Sequence, residues 1–287
     1  CTMALISYNP ITLRCPNAPK KANITWEYLD ISWPNAKATG SKLLSGGDLK
    51  IRYPTVENTG IYECKVDQKT LAGYEVDFQD ANSLHVSHAD LGQETLKNVS
   101  VRLGEETQAE MFTAWSHWQA CDRCGSRGER KKVGFCYQLV RKGSRVVQPP
   151  LPCGLMRVKM KDLSVQRGPE IRYELCDVSC TLTPPHRPSR DGEVPILVLA
   201  TYKIRLHADA IFNCPTASIY SPVYWQRGST PLTHLDLAQT DTSYSLDKAT
   251  GGTAFSVRFV TAADAGDYWC YVDSRLTGKF QLQVLDP

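Results

Sequence analysis

The chain has 287 residues, of which 42% are hydrophobic and 22% charged, with a formal net charge of +3. That length exceeds one small core and suits two or three modules, and the balance of apolar and charged residues excludes a disordered chain or a membrane bundle. The longest apolar run, Pro195-Ile-Leu-Val-Leu-Ala200, falls well short of the ~18 residues of a membrane helix and reads as a strand.

Eleven cysteines and two Asn-x-Ser/Thr sequons, at Asn23 and Asn98, point to an oxidising extracellular compartment. Beginning at Cys1 with no charged-then-apolar leader, the chain reads as a processed ectodomain. Eleven is odd, so at least one thiol lacks a partner within the chain, and Cys1 fits neither cysteine pattern described below.

In chain order, the first predicted strand is Ile11-Thr-Leu13, leading into Cys15-Pro16 with Trp26 eleven residues after the cysteine. Asp48-Leu-Lys-Ile51 follows, then the corner Glu57-Asn-Thr-Gly60 and the strand Ile61-Tyr62-Glu-Cys64-Lys-Val66. The alternation Ser83-Leu84-His-Val86-Ser87 reads as the closing strand, ending a first domain at residue 92.

The middle, 93–190, holds Trp115-Ser-His-Trp118 followed by Cys121, Cys124, Cys136, Cys153, Cys176 and Cys180. Residues 121–180 carry 13 Lys/Arg against six Asp/Glu. Cys121-x-x-Cys124 admits three readings: half of a disulfide staple, a thiolate zinc clamp with Cys176 and Cys180, or a redox couple. The zinc clamp needs reduced thiols and leaves Cys136 and Cys153 unexplained, and the loop-like Gly-Ser-Arg-Gly after Cys124 does not open the helix a redox couple uses. Arg130, Lys131 and Lys132, with Arg141-Lys and Arg157-x-Lys-x-Lys161, form a basic ridge suited to sulfated glycans or an acidic partner, or simply a solvated surface. Pro184-Pro185 through Glu193 reads as a stiff polar linker.

The last segment, 191–287, repeats the first. Ala210-Ile-Phe212-Asn-Cys214-Pro215 is followed by Trp225, again eleven residues on, then Asp264-Ala-Gly266-Asp-Tyr268-Trp-Cys270 and the closing strand Phe280-Gln-Leu282-Gln-Val284. A Trp packed on an inter-sheet cysteine pair, with a Tyr two residues before the second Cys, is the pattern of an immunoglobulin sandwich. Cys15 with Cys64 and Cys214 with Cys270 are its two pairs; Trp26, Trp225, Tyr62 and Tyr268 are its core residues. The intercysteine separations of 49 and 56 resemble the compact immunoglobulin sets.

The tryptophan and cysteine order of the middle resembles a thrombospondin type 1 repeat over about 65 residues. The resemblance implies Cys121–Cys176, Cys124–Cys180 and Cys136–Cys153 pairing, a core replaced by Trp rings between arginines (Arg127, Arg130 and Arg172 being candidates), and C-mannosylation of Trp115. The close C-x-x-C spacing, and Lys132 and Gly134 where strand arginines are usual, depart from that family. The fold expected is therefore all-β, two immunoglobulin-like sandwiches flanking a disulfide-stapled thrombospondin type 1-like hinge. The module order, with Val76-Asp-Phe-Gln-Asp80, resembles the "family with sequence similarity 187" group of immunoglobulin V-type membrane proteins. This implies a type I topology, with one membrane helix outside this segment.

The six histidines are scattered, and there is no Gly-rich phosphate loop, no Gly-x-Ser-x-Gly elbow and no His-Glu-x-x-His. No cofactor, metal, catalytic residue or nucleic-acid partner is expected. The reading is a non-enzymatic surface glycoprotein on the outer face of the plasma membrane that binds another cell-surface protein. Its architecture is similar to that of sperm-surface adhesion proteins. The alternatives are a secreted or shed matrix module binding sulfated glycans through the basic hinge, and a thiol–disulfide exchanger using Cys121 and Cys124.

Overall fold

A computed structural model describes residues 1–19, 21–30, 41–159, 167–180, 197–240 and 242–285. The linker 184–193, Lys161 and the side chains of Arg157 and Lys159 lie outside the described residues.

The first strands are β1 (Thr2–Ile6), β2 (Ile11–Leu13), β3 (Ile24–Asp30), β4 (Ser41–Leu43), β5 (Leu49–Ile51), β6 (Gly60–Val66) and β7 (Lys69–Gln79). They form two sheets, β1-β7-β6-β3 and β2-β5-β4. Alternation decides which side chains face inward. Leu13, Leu49, Ile51, Tyr62, Val76 and Phe78 make one core, with Trp26 and Tyr74 packed against it, and Cys15–Cys64 spans it.

Ser83-Leu84-His-Val86-Ser87 does not close this sandwich. Asp67 and Gln68 adopt φ of +48° and +69°, a two-residue turn whose twist suits a hairpin, so the chain returns immediately after β6 and β7 takes the place beside it. Residues His85–His88 instead form β8, a neighbour of a strand from the middle segment.

That segment contributes β9 (Val99–Arg102), β10 (Thr107–Trp115), β11 (Gly128–Lys142), β12 (Arg145–Pro152), the short helix α1 (Cys153–Lys159) and β13 (Glu170–Cys176). Three disulfides lie here, Cys121–Cys176, Cys124–Cys180 and Cys136–Cys153. Buried Cys136 and Cys153 cluster with Met111 and, at its edge, Val99 and Val101.

The last strands are β14 (Val198–Arg205), β15 (Ala210–Asn213), β16 (Val223–Arg227), β17 (Thr230–Leu232), β18 (Tyr244–Leu246), β19 (Ala254–Val257), β20 (Gly266–Val272) and β21 (Arg275–Leu285), with helix α2 (His234–Gln239) after β17. Their sheets are β14-β21-β20-β16-β17 and β15-β19-β18. Phe212, Trp225, Phe255, Tyr268 and Phe280 form an aromatic core around Cys214–Cys270. The β20–β21 hairpin again turns on two residues of positive φ, Asp273 and Ser274. Both tyrosine corners are present: Tyr62 donates to the Asn58 carbonyl at 2.6 Å and Tyr268 to the Asp264 carbonyl at 2.7 Å.

The chain packs as two compact units. One comprises Cys1–His85, Thr95–Trp115 and Gly134–Glu170; the other Val86–Glu94, Ser116–Val133 and Ile171–Pro287. The cysteine-rich segment thus contributes residues to both.

The two signature tryptophans are unequally placed. Trp225 is 1% exposed and Trp26 only half-buried, though each indole donates to a glycine carbonyl at 2.8 Å, Gly47 for Trp26 and Gly252 for Trp225. Trp225→Ala is therefore expected to cost about 3–5 kcal/mol and Trp26→Ala clearly less, read from denaturant unfolding of each variant. Equal losses would contradict the difference in packing.

Candidate functional site

A set of buried charged groups lies inside the second unit, where the cysteine-rich residues meet the second sandwich. It starts at the loop before β11. Asp122 and Glu129 bracket each other: the Asp122 amide donates to the Glu129 carbonyl at 2.9 Å, and the Glu129 amide to Asp122 Oδ1 at 3.0 Å. Gly128 permits this closeness, since a Cβ there would meet Asp122 Oδ1 at 2.5 Å and Cys121 Sγ at 2.8 Å.

The first residues of β11 deliver the Glu129 carboxylate, 4% exposed, to the start of α2. It accepts from the amides of His234 (3.0 Å) and Leu235 (2.8 Å), filling two of the donors that a helix start leaves open. Thr233 fills a third, its hydroxyl oxygen accepting from Asp236 N at 3.0 Å. The same carboxylate lies 3.1 Å from His88 Nε2 and 3.2 Å from His234 Nδ1. Because His88 Nδ1 accepts from the Asp90 amide at 3.2 Å, Nε2 carries the proton and donates to Glu129. Tyr173 of β13 stacks on both rings, at 4.0 Å from His234 and 6.2 Å from His88.

Around this centre, buried Lys131 donates to the Ser221 carbonyl, Gln119 Nε2 to the Ile219 carbonyl at 2.8 Å, and Arg123 lies 5.8 Å above the Tyr224 ring. A narrow cleft runs between them, lined by Asp122, Glu129, Lys131, Tyr173, Pro222 and His234. Burial pushes the Asp122 carboxyl up to about 6 and the Lys131 ammonium down to about 8. Burial would also raise Glu129, but hydrogen bonds from His234, His88 and the Leu235 amide outweigh it and hold the carboxyl well below its usual range.

The first unit contains a counterpart. Gln79, from β7, treats Cys136 as a strand neighbour would, accepting from its amide and donating to its carbonyl, both at 2.8 Å. Asp77 accepts from Gln79 Nε2 and from the Gly154 amide, both at 2.9 Å. Any side chain at 154 would collide with Asp77, since a Cβ there falls 1.9 Å from Oδ1. Both clusters do the same physical work, fastening cysteine-rich residues to sandwich residues within one unit through bonds to backbone atoms.

The residues expected from sequence are distributed as follows. Cys121 and Cys124 bond to Cys176 and Cys180, not to each other. Asn23 and Asn98 are exposed. Trp118 lies between Arg130 (5.1 Å) and Lys132 (4.8 Å), with Arg130 paired to Glu174. Lys131, between them in sequence, is 4% exposed. Arg172 is held by Ser87 Oγ and the Gln93 carbonyl, while Arg127 is exposed. Half-buried Trp115 lies over Gly134, where a Cβ would meet its ring at 2.9 Å. The thiol of Cys1 is free and exposed. Among the described residues no group of three or more His, Cys, Asp or Glu is arranged to hold a metal ion, and no helix is long and apolar enough to cross a membrane. The His88, Glu129, Tyr173 and His234 cluster went unseen in sequence; its only local trace is the Thr233-His-Leu-Asp236 helix start.

Glu129→Gln is expected to lower stability by about 2–4 kcal/mol near neutral pH, because it leaves buried donors without a charged acceptor. Its folded pKa lies below the ordinary 4.5. Its contribution is therefore complete above that value and is lost as pH falls through the folded one. Asp122 acts in the opposite sense between its ordinary 3.8 and about 6, but is present in both chains. Melting temperatures of wild type and Glu129→Gln should converge on acidification below pH ~4; parallel curves would show that Glu129 is not the fastening group.

No protein-family model matches the chain. Among curated proteins it is similar to "Ig-like V-type domain-containing protein FAM187A" of Mus musculus, 27% identical over 253 residues, 80% of this chain and 58% of that protein. The Bos taurus protein of the same name is 23% identical over 250 residues, with 80% and 58% covered. The chain thus spans about 58% of the length of these relatives. Among solved structures, the CD2-binding domain of CD58 is 16% identical, covering 31% of this chain and 55% of that one with a TM-score of 0.26. Drosophila OTK extracellular domains 3–5 are 12% identical, covering 99% and 94%, with a TM-score of 0.23. With two disulfide-closed immunoglobulin-like sandwiches, the chain is thus similar over 80% of its length to proteins named Ig-like V-type domain-containing protein FAM187A.

Proposed function

We propose that the chain is a non-enzymatic extracellular recognition module acting in cell–cell or gamete contact, with the sandwiches presenting the binding surface to another cell-surface protein. The whole protein is held at the plasma membrane by a helix outside this segment. The observation that carries the reading is the pair of disulfide-closed sandwiches, each bonded inside its own unit to cysteine-rich residues through buried polar groups. Such bonding makes the cysteine-rich part a spacer, so recognition falls to the loops and outer faces of the sandwiches. The modules are 1–92, 93–190 and 191–287. Reading the middle module as a thrombospondin type 1-like hinge is supported by its three disulfides and by the cation-flanked Trp118 ring. Asn23 and Asn98 then carry N-glycans and Trp115 a C-linked mannose.

Sulfated-glycan binding through the hinge is the second reading. It rests on Arg130 and Lys132, which flank Trp118. Burial of Lys131 and the pairing of Arg130 with Glu174 leave that ridge weaker than its sequence.

The test is staining of a panel of cells with the secreted chain made tetravalent, in the presence and absence of soluble heparin. Protease-sensitive staining that survives heparin and is lost when exposed sandwich loops are substituted is the expected result. Staining abolished by heparin, and by Arg130→Ala with Lys132→Ala, would shift the function to the glycan reading. Staining retained after removal of both sandwiches would overturn the proposal.

A further inference from the structure

The five disulfides differ in what surrounds them. Both cysteines of Cys15–Cys64, Cys136–Cys153 and Cys214–Cys270 are buried. Cys121 and Cys176 are half-buried, whereas Cys124 and Cys180 are both exposed. Disulfide exchange requires a thiolate to reach a sulfur, so access separates these bonds kinetically.

The turn at Gly125 adds to that access. Gly125 has φ of +69°, and a Cβ there would lie 3.1 Å from Cys180 Sγ. With no side chain at 125, one group that would stand against that sulfur is missing. The Gly125 amide donates to the Val178 carbonyl at 2.8 Å, which holds the two segments together independently of the sulfurs.

A second covalent tie lies beside this one. Cys121–Cys176 ties the same two segments a few residues further in. There β13 is further held by Arg130 to Glu174, by the Leu175 amide to Asp90 Oδ2 at 2.9 Å and by Tyr173 between the histidines.

We propose that Cys124–Cys180 is a thiol–disulfide exchange site, opened by an extracellular dithiol or dithiol protein while the other four disulfides stay closed. A reductant thiolate attacks Cys180 Sγ on the flank beside Gly125. The Cys124–Cys180 bond breaks, a mixed disulfide forms on Cys180, and Cys124 leaves as a thiolate that takes a proton from water. The second thiol of the reductant, deprotonated, then attacks its own sulfur in the mixed disulfide. Cys180 is released as a thiolate and takes a proton, so the reductant is oxidised to its disulfide and the chain gains two electrons and two protons. This site differs from a C-x-x-C couple, since Cys121 keeps its own partner.

The test treats the full secreted chain with low millimolar dithiothreitol under native conditions, blocks new thiols with an alkylating reagent at intervals, and maps them by mass spectrometry. Cys124 and Cys180 should be alkylated together, at least about tenfold faster than Cys121 and Cys176, with the melting temperature of the singly reduced chain nearly unchanged. Gly125→Asn, a residue that tolerates left-handed φ while adding a side chain beside the sulfur, should slow that step several-fold and no other. Reduction of all five bonds together, earlier reduction of Cys121–Cys176, or collapse of the melting transition once Cys124–Cys180 opens would each overturn the proposal. An unchanged rate in a folded Gly125→Asn chain would overturn the assignment of Cys180 as the attacked sulfur.

Discussion

The interaction on which this structure turns is the polar bonding of cysteine-rich residues to sandwich residues within each unit. The cysteine-rich segment buries apolar side chains of its own, among them Met111, Leu139, Leu155, Met156 and Ile171, and the second sandwich packs Trp225, Phe212, Phe255, Tyr268 and Phe280 together. Apolar packing is non-directional, so polar partners set how the pieces meet. Three disulfides lie in the segment, and sandwich residues complete its hydrogen bonding: Gln79 for Cys136, Asp77 for Gly154, and the α2 amides for Glu129.

What could be read from sequence follows from the range of each interaction. The Tyr62 and Tyr268 corners reach back only four residues, and the Cys-to-Trp offset is set by strand and turn lengths, so both recur as local patterns. The closing strand of the first sandwich was harder. Leu84 and Val86 alternate as a strand should, and 85–88 do form one, but they join a different sheet. The strand that fills the position, β7, follows a turn of Asp67 and Gln68. Neither residue announces a hairpin as Asn-Gly would, although both take positive φ.

The polar joint of the second unit had no such local signature. His88 and Glu129 are 41 residues apart and Glu129 and His234 are 105 apart, so the histidines look scattered until the fold gathers them. Lys131 shows the converse. In sequence it belongs to a basic triplet, and strand alternation turns it away from Arg130 and Lys132 into the joint, where a carbonyl receives it. The strength of a charge run therefore depends on which strand face each residue occupies, and the net charge of residues 121–180 overstates what reaches the surface.

Burying Glu129, Asp122 and Lys131 together is not the most stabilising way to join two pieces of protein, because an apolar patch of similar volume commonly does as well or better. The difference lies in orientation. Glu129 meets two successive backbone amides and two ring nitrogens, and Lys131 meets one carbonyl; Gln79 meets both the amide and the carbonyl of a single residue. Each set of partners is satisfied in one geometry and leaves buried polar atoms unpaired in any other, a penalty that apolar surfaces sliding past each other would not incur. The polar joints thus fix how cysteine-rich and sandwich residues sit within each unit.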